Sequence, residues 1–380
     1  MKKIFLIIII IYCIFAPVSN VIYATEQTTQ EELIQSQIQD MNINSIIDKA
    51  EKDTKNNIDF NTIFEESLKG NLSQNIIINT VGKILGTELK ESLKMLVSIL
   101  LIIIIYGLMK NISENLGNNQ TGKIGHFVQI IILITALMEV YTHILQIVKE
   151  TLETISSFTY MLLPLFISLS ISTGNITAAT GIQSVILVSI NIITTFINQI
   201  LIPIIIVATV IGIISNISDE VHMNRLSKYM KSTIIWILCI FLTIFTCVLS
   251  LESNLGQGID QFTSKTTKTA VSTFVPVVGK ILGDTVESVL GCTNIIKNAV
   301  GTLGVIGTIF IAATPLIRVG LTTLFIYLIS GLAEIVADEK IVYVLEQMGD
   351  SCKVLLASIT TVVIMLIIGF TITMKLGVPS

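Results

Sequence analysis

Residues Phe274–Gly304 read FVPVVGKILGDTVESVLGCTNIIKNAVGTLG and lie between two groups of long apolar segments. Apolar residues recur here at three- and four-residue intervals, which predicts a helix with one apolar face. Pro276 interrupts the backbone before this helix, and Gly291 is expected to end it. Such a helix either lies in the membrane interface, lines a polar cavity or serves as a surface connector. Its opposite face carries the charged residues Lys280, Asp284 and Glu287.

The composition is that of an integral membrane protein. Of the 380 residues, 52% are hydrophobic and 13% are charged, whereas average usage is about 25% charged residues. The formal net charge of −4 argues against binding to nucleic acid. The five cysteines form no CxxC pair, so neither a disulfide framework nor a zinc site is indicated.

The N-terminus has the pattern of a secretory signal peptide. Lys2 and Lys3 precede an apolar run that is short for a membrane span, and Ala24 offers a small residue for cleavage. We therefore predict a signal peptide over 1–24. In residues 25–92 acids outnumber bases, and sparse apolar positions predict a small, polar, extracytoplasmic helical domain with a thin core.

From about Leu93 onward the chain consists of long apolar segments. A spanning helix needs roughly 20 apolar residues, and this measure predicts seven to nine spans. The number depends on Pro203, which either kinks one long helix or separates two spans. The fold class is therefore all-α and polytopic: a first transmembrane group at 93–251, a connector at 252–294 and a second transmembrane group at 295–380. The predicted spans are 93–110, 127–148, 154–173, 182–201, 202–218, 233–251, 295–316, 319–337 and 353–374.

Basic residues set the expected orientation in the membrane. The loop at 219–232 holds Arg225, Lys228 and Lys231, the densest basic cluster after the signal peptide. Because short basic loops stay in the cytoplasm, this loop is expected inside. The connector at 252–294 then lies on the outer side, together with the polar N-terminal domain.

Two ionisable residues lie inside an apolar segment. Glu139 is near the middle of the span at 127–148, and His143 follows one helical turn later. A charge in this position costs roughly 2.5–3.5 kcal/mol on insertion scales, so it needs a polar pathway or a partner. One hypothesis is a proton- or ion-coupling site. The alternatives are an interhelical pair that fixes packing, or a span shifted so that both residues lie near the interface.

Small and hydroxylated residues are frequent in the predicted spans. The segment at 182–201 is rich in serine, threonine and asparagine, which favours interhelical hydrogen bonds. Gly301, Gly304 and Gly307 recur at three-residue spacing and predict a face on which a second helix packs closely.

No motif for catalysis or cofactor binding occurs in the sequence. The HExxH, GxGxxG and P-loop patterns are absent, and the three histidines lie far apart. We therefore predict no catalytic, cofactor-binding or metal-binding residues, and no enzymatic activity.

The stretch at 274–304 resembles the most distinctive block of the stage III sporulation protein AE family of endospore-forming bacteria. The layout of signal, polar domain and multi-span region agrees along nearly the whole chain. Lys280 departs from the family pattern, in which a smaller residue is expected. Two further stretches are similar to the C-terminal half of that family: Ala313-Thr314-Pro315-Leu316 and Leu345-Glu346-Gln347-Met348-Gly349-Asp350.

The resemblance implies a role in spore formation. It implies a permease-like subunit of a membrane complex made in the mother cell, which joins a forespore partner in a channel or feeding-tube apparatus. This apparatus supports late forespore gene expression, and its implied location is the mother-cell membrane around the forespore. The implied partners are other stage III sporulation membrane proteins, including a secretion-type ATPase. The chain is also compatible with a homo-oligomer in the lipid bilayer.

Two other functions are open at this point. An autonomous proton- or ion-coupled secondary transporter is suggested by Glu139, by His143 and by the proline-broken segments at 161–175 and 273–291. A passive assembly scaffold, whose N-terminal domain recruits partners, is the structural alternative.

Overall fold

The computed structural model describes residues 27–53, 59–70, 74–115, 119–217, 223–274, 279–335 and 337–376. The described chain is helical, and no strand occurs within it. The predicted signal peptide lies outside the described residues. The helices are α1 Gln27–Asp40, α2 Ile43–Asp53, α3 Phe60–Leu68, α4 Gln74–Asn115, α5 Asn119–Ser172, α6 Ile176–Phe196, α7 Ile202–Ile217, α8 Asn224–Phe274, α9 Gly279–Ala333 and α10 Glu339–Met374.

Three short N-terminal helices pack onto the long ones. Ile43, Ile47 and Phe60 are completely buried and join the same core as the apolar helices. The ring of Phe60 stacks on Phe158 of α5 at a centroid distance of 5.7 Å. Asp59 caps α3 by accepting a hydrogen bond from the backbone N–H of Thr62 at 2.9 Å. The apolar positions of this polar region therefore bury themselves against α5 and α9 as well as against one another.

Six helical stretches in the described chain are long and apolar enough to cross a membrane, so the prediction of seven to nine separate spans is wrong for these residues. α5 runs through 127–148 and through 154–172, and α9 runs through both 295–316 and 319–333. These two helices have 54 and 55 residues. At 1.5 Å per residue each is about 80 Å long, well beyond the roughly 30 Å of a bilayer core. Part of each helix must therefore lie outside the hydrocarbon.

Pro203 does not separate two spans. A π-helical turn, Ile197–Leu201, joins α6 directly to α7 just before the proline. In a regular helix a proline ring clashes with the carbonyl group of the residue four positions earlier. For Pro203 that residue is Gln199, which lies in the wider π-turn. The extra residue of the π-turn makes room for the ring, so α6 and α7 form one continuous stretch over Ile176–Ser215.

The stretch at 274–304 also differs from its prediction. Gly291 does not end the helix, because α9 continues without a break from Gly279 to Ala333. Pro276 lies outside the described residues. The backbone of Lys280, Asp284 and Glu287 belongs to the first turns of α9, but their side chains also lie outside the described part of the structure.

The glycine row predicted as a packing face is confirmed. A Cβ added to Gly304 would lie 2.8 Å from the ring of Phe370 in α10, and one added to Gly301 would lie 2.2 Å from Met374. Gly307 faces Phe158 of α5 in the same way. These contacts let α9 approach its neighbours closely, and α9 with α10 forms the most extensive helix pair in the described bundle.

A tight turn connects α5 to α6, and α8 fixes its position. Gly174 has a φ of 86°, a left-handed conformation that favours glycine. The carboxylate of Asp260 in α8 accepts hydrogen bonds from the backbone N–H groups of Thr177 and Ala178 at 3.0 and 2.9 Å. A carboxylate is stabilised at a helix N-terminus by the helix dipole. This contact attaches the distal half of α8 to the start of α6.

Successive long helices alternate in direction, which places the links α4–α5, α7–α8 and α9–α10 at one end of the bundle. At that end Lys110 forms an ion pair with Asp338. The hydroxyl of Tyr106 donates a hydrogen bond to the same carboxylate at 2.7 Å. The basic residues Arg225 and Lys228 lie at the same end, at the start of α8. That this basic end faces the cytoplasm stays a prediction from the positive-inside rule.

Candidate functional site: a buried polar layer

A lysine lies inside the helix bundle, one turn beyond the exposed basic residues at the start of α8. Lys231 is only 5% exposed. Its ammonium group donates hydrogen bonds to the backbone carbonyl and to the side-chain Oε1 of Gln347 in α10, both at 2.8 Å. The side chain therefore points inward, across the interface between α8 and α10.

Ser227 adds a third helix to this contact. Its hydroxyl lies 2.7 Å from the carbonyl of Ala208 in α7 and 3.2 Å from Oε1 of Gln347. Gly212 leaves the space that Gln347 occupies, since a Cβ there would meet Oε1 of Gln347 at 2.5 Å and Oγ of Ser227 at 2.9 Å. Glycine at this position is thus a steric requirement of the site.

A chain of hydroxyl groups extends the site to α5. The hydroxyl of Tyr141 lies 3.3 Å from Oγ1 of Thr209, which lies 2.6 Å from Oγ of Ser351. Ser351 donates to the carbonyl of Gln347 at 2.8 Å, which closes the connection to Lys231. We call these residues the buried polar layer: Tyr141, Thr209, Ser227, Lys231, Gln347 and Ser351.

An acidic residue lies beside the layer but is bonded elsewhere. Asp350 accepts a hydrogen bond from the hydroxyl of Tyr327 at 2.6 Å and an ion pair from Lys353 at 3.2 Å. Lys353 also lies 4.7 Å from the centre of the Tyr327 ring, over its face. The hydrogen-bond acceptors of Lys231 are therefore neutral groups, among the contacts that the structure describes.

The layer links four helices by hydrogen bonds inside the bundle, where contacts between helices are usually apolar. A buried ammonium without hydrogen-bond partners is strongly unfavourable, so Lys231 is stable here only while Gln347 keeps its position. The layer therefore specifies one arrangement of α5, α7, α8 and α10. It holds hydroxyls, an amide and an amine in mutual hydrogen bonds, an arrangement suited to positioning helices or moving a proton.

Two further cations, Arg318, which is half-buried, and Lys297, which is buried, connect other elements of the bundle. Arg318 donates to Glu88 of α4, with one bond at 3.0 Å, and pairs with Glu91. Arg318 thus lies within α9. Lys297, which is fully buried, donates to the carbonyl of Leu376 just after α10. A cation near the C-terminus of a helix is favoured by the helix dipole.

The structure places Glu139 and His143 on the outside of α5, where both are exposed. They form no ion pair with each other in the described structure. No group of three or more histidine, cysteine or acidic side chains arranged for a metal occurs among the described residues. The polar residues of 182–201 act mainly within their own helix: Ser184 donates to the carbonyl of Thr180, and Thr194 to that of Ile190.

Sequence reasoning did not find the buried polar layer. The basic pattern of 219–232 predicts a cytoplasmic loop that includes Lys231, although this residue lies in the second turn of α8. Gln347 occurs in the stretch Leu345–Asp350, which carried the family resemblance but no assigned role. The sequence signal that could have found it is this polar residue in an otherwise apolar helical face of α10.

The fold and the layer define a polytopic helical membrane protein with a polar core. The chain belongs to the stage III sporulation protein AE family, whose model matches residues 58–377. It is similar to the stage III sporulation protein AE of Bacillus subtilis (strain 168), with 27% identity over 256 residues. The matched region covers 67% of this chain and 64% of that relative. No solved structure matches the chain.

Proposed function

We propose that this protein is a membrane subunit of the complex that joins the mother cell to the forespore during spore formation. The observation that carries the proposal is the family match over residues 58–377, in a chain with six long apolar helical stretches. The complex would act as a channel or feeding tube that supports late forespore gene expression. The protein would lie in the mother-cell membrane around the forespore.

The role within the complex is that of a platform or export gate rather than of a catalyst. The polar bonds of the described chain serve to hold helices together, as in the buried polar layer around Lys231 and Gln347. Such a subunit depends on partners. The proposed partners are other stage III sporulation membrane proteins and a secretion-type ATPase, which would supply the energy for transport.

The helices α1–α3 suit a role in assembly as well. Their apolar residues pack onto α5 and α9, and Thr293 of α9 lies 3.3 Å from the side chain of Gln37 in α1. The exposed face of these helices is polar, with Asp40, Asp48 and Glu65 on the surface. A region held on the bundle in this way can present a fixed polar surface to a partner on the outer side.

A clean deletion in the native host tests the proposal. The expected result is normal vegetative growth, with engulfed but shrunken forespores and a silent late forespore reporter. Restoring the wild-type chain from a second locus should restore the reporter, which controls for effects on neighbouring genes. Normal spores and a normal reporter in the deletion strain would contradict the proposed function.

A further inference from the structure

The first turns of α8 carry exposed basic and aromatic side chains on one face. Their spacing of three and four residues makes them neighbours on the helix surface. Two of them are large rings, Tyr229 and Trp236, and each is 70% exposed. We call this set the α8 basic–aromatic face: Arg225, Lys228, Tyr229, Ser232 and Trp236, all of which are exposed.

The sequence of α8 locates this face at the boundary of a bilayer. The 20 residues at 232–251 contain no charged side chain. At 1.5 Å per residue this run is about 30 Å long, which is the thickness of the hydrocarbon core. Arg225 and Lys228 precede the run and lie at the level of the head groups, whereas Trp236 lies about one turn inside it. The exposed residues that follow include the apolar Ile240, Ile244 and Val248.

The two cations of the face have no ionic partner within the described chain. None of the described ion pairs involves Arg225 or Lys228. Glu339 and Glu346 are exposed in the first turns of α10, and they form no described ion pair with these cations either. The link before α8 holds two acids, at 219–220, whose side chains lie outside the described residues. An anion from outside the chain is therefore the complement of this face.

The chemistry of the face matches the head group of an anionic phospholipid. A guanidinium and an ammonium group both bind phosphate oxygens. The hydroxyl groups of Tyr229 and Ser232 and the indole N–H of Trp236 are hydrogen-bond donors. Tyrosine and tryptophan favour the level between head groups and acyl chains, because each has an apolar ring and a polar tip. A soluble anion would contact the cations but would gain nothing from Trp236.

We propose that the α8 basic–aromatic face binds the head group of an anionic phospholipid. The phosphate lies between Arg225 and Lys228, and an acyl chain runs along Trp236. A head group with net negative charge is preferred to a zwitterionic one, because it carries no ammonium that competes with the two cations. This lipid site goes beyond the proposed function, since it depends on α8 crossing a membrane and not on a role in spore formation.

The fluorescence of Trp236 tests the site, because the chain contains one tryptophan. The full chain is placed in bilayer nanodiscs made of equal amounts of phosphatidylglycerol and phosphatidylcholine. In one sample the phosphatidylglycerol carries bromine atoms on its acyl chains, and in the other the phosphatidylcholine does. Bromine quenches a tryptophan that it contacts. We expect phosphatidylglycerol to be favoured roughly fivefold at Trp236, the preference that one basic residue near a membrane surface supplies.

Charge variants provide the second arm of the test. Arg225→Gln/Lys228→Gln should make the quenching by the two lipids roughly equal, because the attraction to the head group is lost. Lys90→Gln/Lys94→Gln removes the same charge from exposed positions of α4 and should keep the preference. Arg225→Lys/Lys228→Arg should also keep it, which separates a loss of charge from a loss of folding.

Several results would overturn the proposal. Equal quenching by the two lipids in the wild-type chain would show that the face has no preference for an anionic head group. An unchanged preference in Arg225→Gln/Lys228→Gln would remove these two cations from the site. Loss of the preference in Lys90→Gln/Lys94→Gln would reduce it to an effect of net charge. Loss of the preference on addition of inorganic phosphate at constant ionic strength would assign the cations to a soluble anion.

Discussion

Lys231 and Glu139 lie in two different long helices of the bundle, α8 and α5, and their surroundings are opposite. Lys231 is buried and bonded to Gln347 at 2.8 Å. Glu139 is exposed on the outside of α5 and forms no described ion pair. Both are ionisable groups in helices that are long and apolar enough to cross a membrane. The difference teaches that the interior charge is satisfied by the fold itself, whereas the exterior charge has no ion-pair partner among the described residues.

The comparison predicts that interior substitutions reduce the stability of the isolated protein. Gln347→Leu removes Oε1, which both Lys231 and Ser227 approach, and leaves the ammonium with one carbonyl acceptor. We expect a loss of about 3 kcal/mol in the free energy of unfolding, since a buried charged group loses a hydrogen bond. Thermal unfolding of the purified protein in detergent measures this loss of stability.

The matched control is the exposed neighbour Glu346. Glu346→Leu should change the unfolding free energy by less than about 0.5 kcal/mol, as is usual for surface positions. Equal stability of the Gln347→Leu and wild-type proteins would contradict the role assigned to the layer.

A smaller interior effect is expected at Gly212. Gly212→Ala adds a methyl group 2.5 Å from Oε1 of Gln347, so the amide must move away from Lys231. Overpacking of this kind costs about 1–3 kcal/mol. Gly331→Ala is the control, because a Cβ there meets nothing within 4 Å and alanine favours the helix. Should both variants melt at the same temperature as the wild type, the layer would be looser than the distances indicate.

The N-terminal helices offer an intermediate case, in which a polar group is exposed but locally bonded. Hydrogen bonds from the hydroxyl and backbone N–H of Thr62 hold the pKa of Asp59 below its ordinary value. A lowered pKa in the folded state stabilises α3 above the ordinary carboxyl pKa of about 3.9, and this stabilisation disappears as the pH falls through the lower folded value.

Asp59→Ala should therefore cost about 1 kcal/mol of local stability at neutral pH, as for other N-cap residues. Hydrogen exchange of the amides of α3 measures this effect. The difference between the variant and the wild type should shrink below about pH 4. A difference that does not depend on pH would show that the carboxylate charge plays no part in the cap.

The smallest effect on the isolated protein is expected for Glu139 on the outside of α5. Glu139→Gln should change the unfolding free energy of the monomer in detergent by less than about 0.5 kcal/mol, because the side chain is exposed and unpaired there. The comparison fails if this variant is as unstable as Gln347→Leu, since Glu139 would then have a partner inside the fold.

Hydropathy alone predicted the helical, membrane-spanning character of the chain, but not where each helix ends. Pro203 and Gly291 have the local chemistry of helix breakers, yet α6–α7 and α9 continue past them. A π-turn accommodates the proline, and tertiary packing offsets the cost of glycine in a helix. Such compensation depends on neighbouring helices, which a local sequence pattern does not contain.

The candidate site was harder to predict than the fold, for a related reason. Lys231 and Arg225 look alike in the sequence, but only Lys231 is rotated toward α10 and buried. The place of Glu139 in an apolar run is visible in the sequence. The side of α5 on which Glu139 lies is not. Rotation of a helix about its axis decides whether a charge faces a core, lipid or a partner. That rotation is set by packing of the whole bundle.

Complementation of the deletion strain tests the central claim most directly, namely that the buried polar layer is required by a protein that acts in spore formation. Lys231→Met, Glu346→Leu and the wild-type chain are each expressed from a second locus, and the late forespore reporter is measured at matched levels of protein in the membrane. We expect a normal reporter with Glu346→Leu and a silent one with Lys231→Met, in which the bonds between α8 and Gln347 are lost. A normal reporter with Lys231→Met at wild-type abundance would contradict the account.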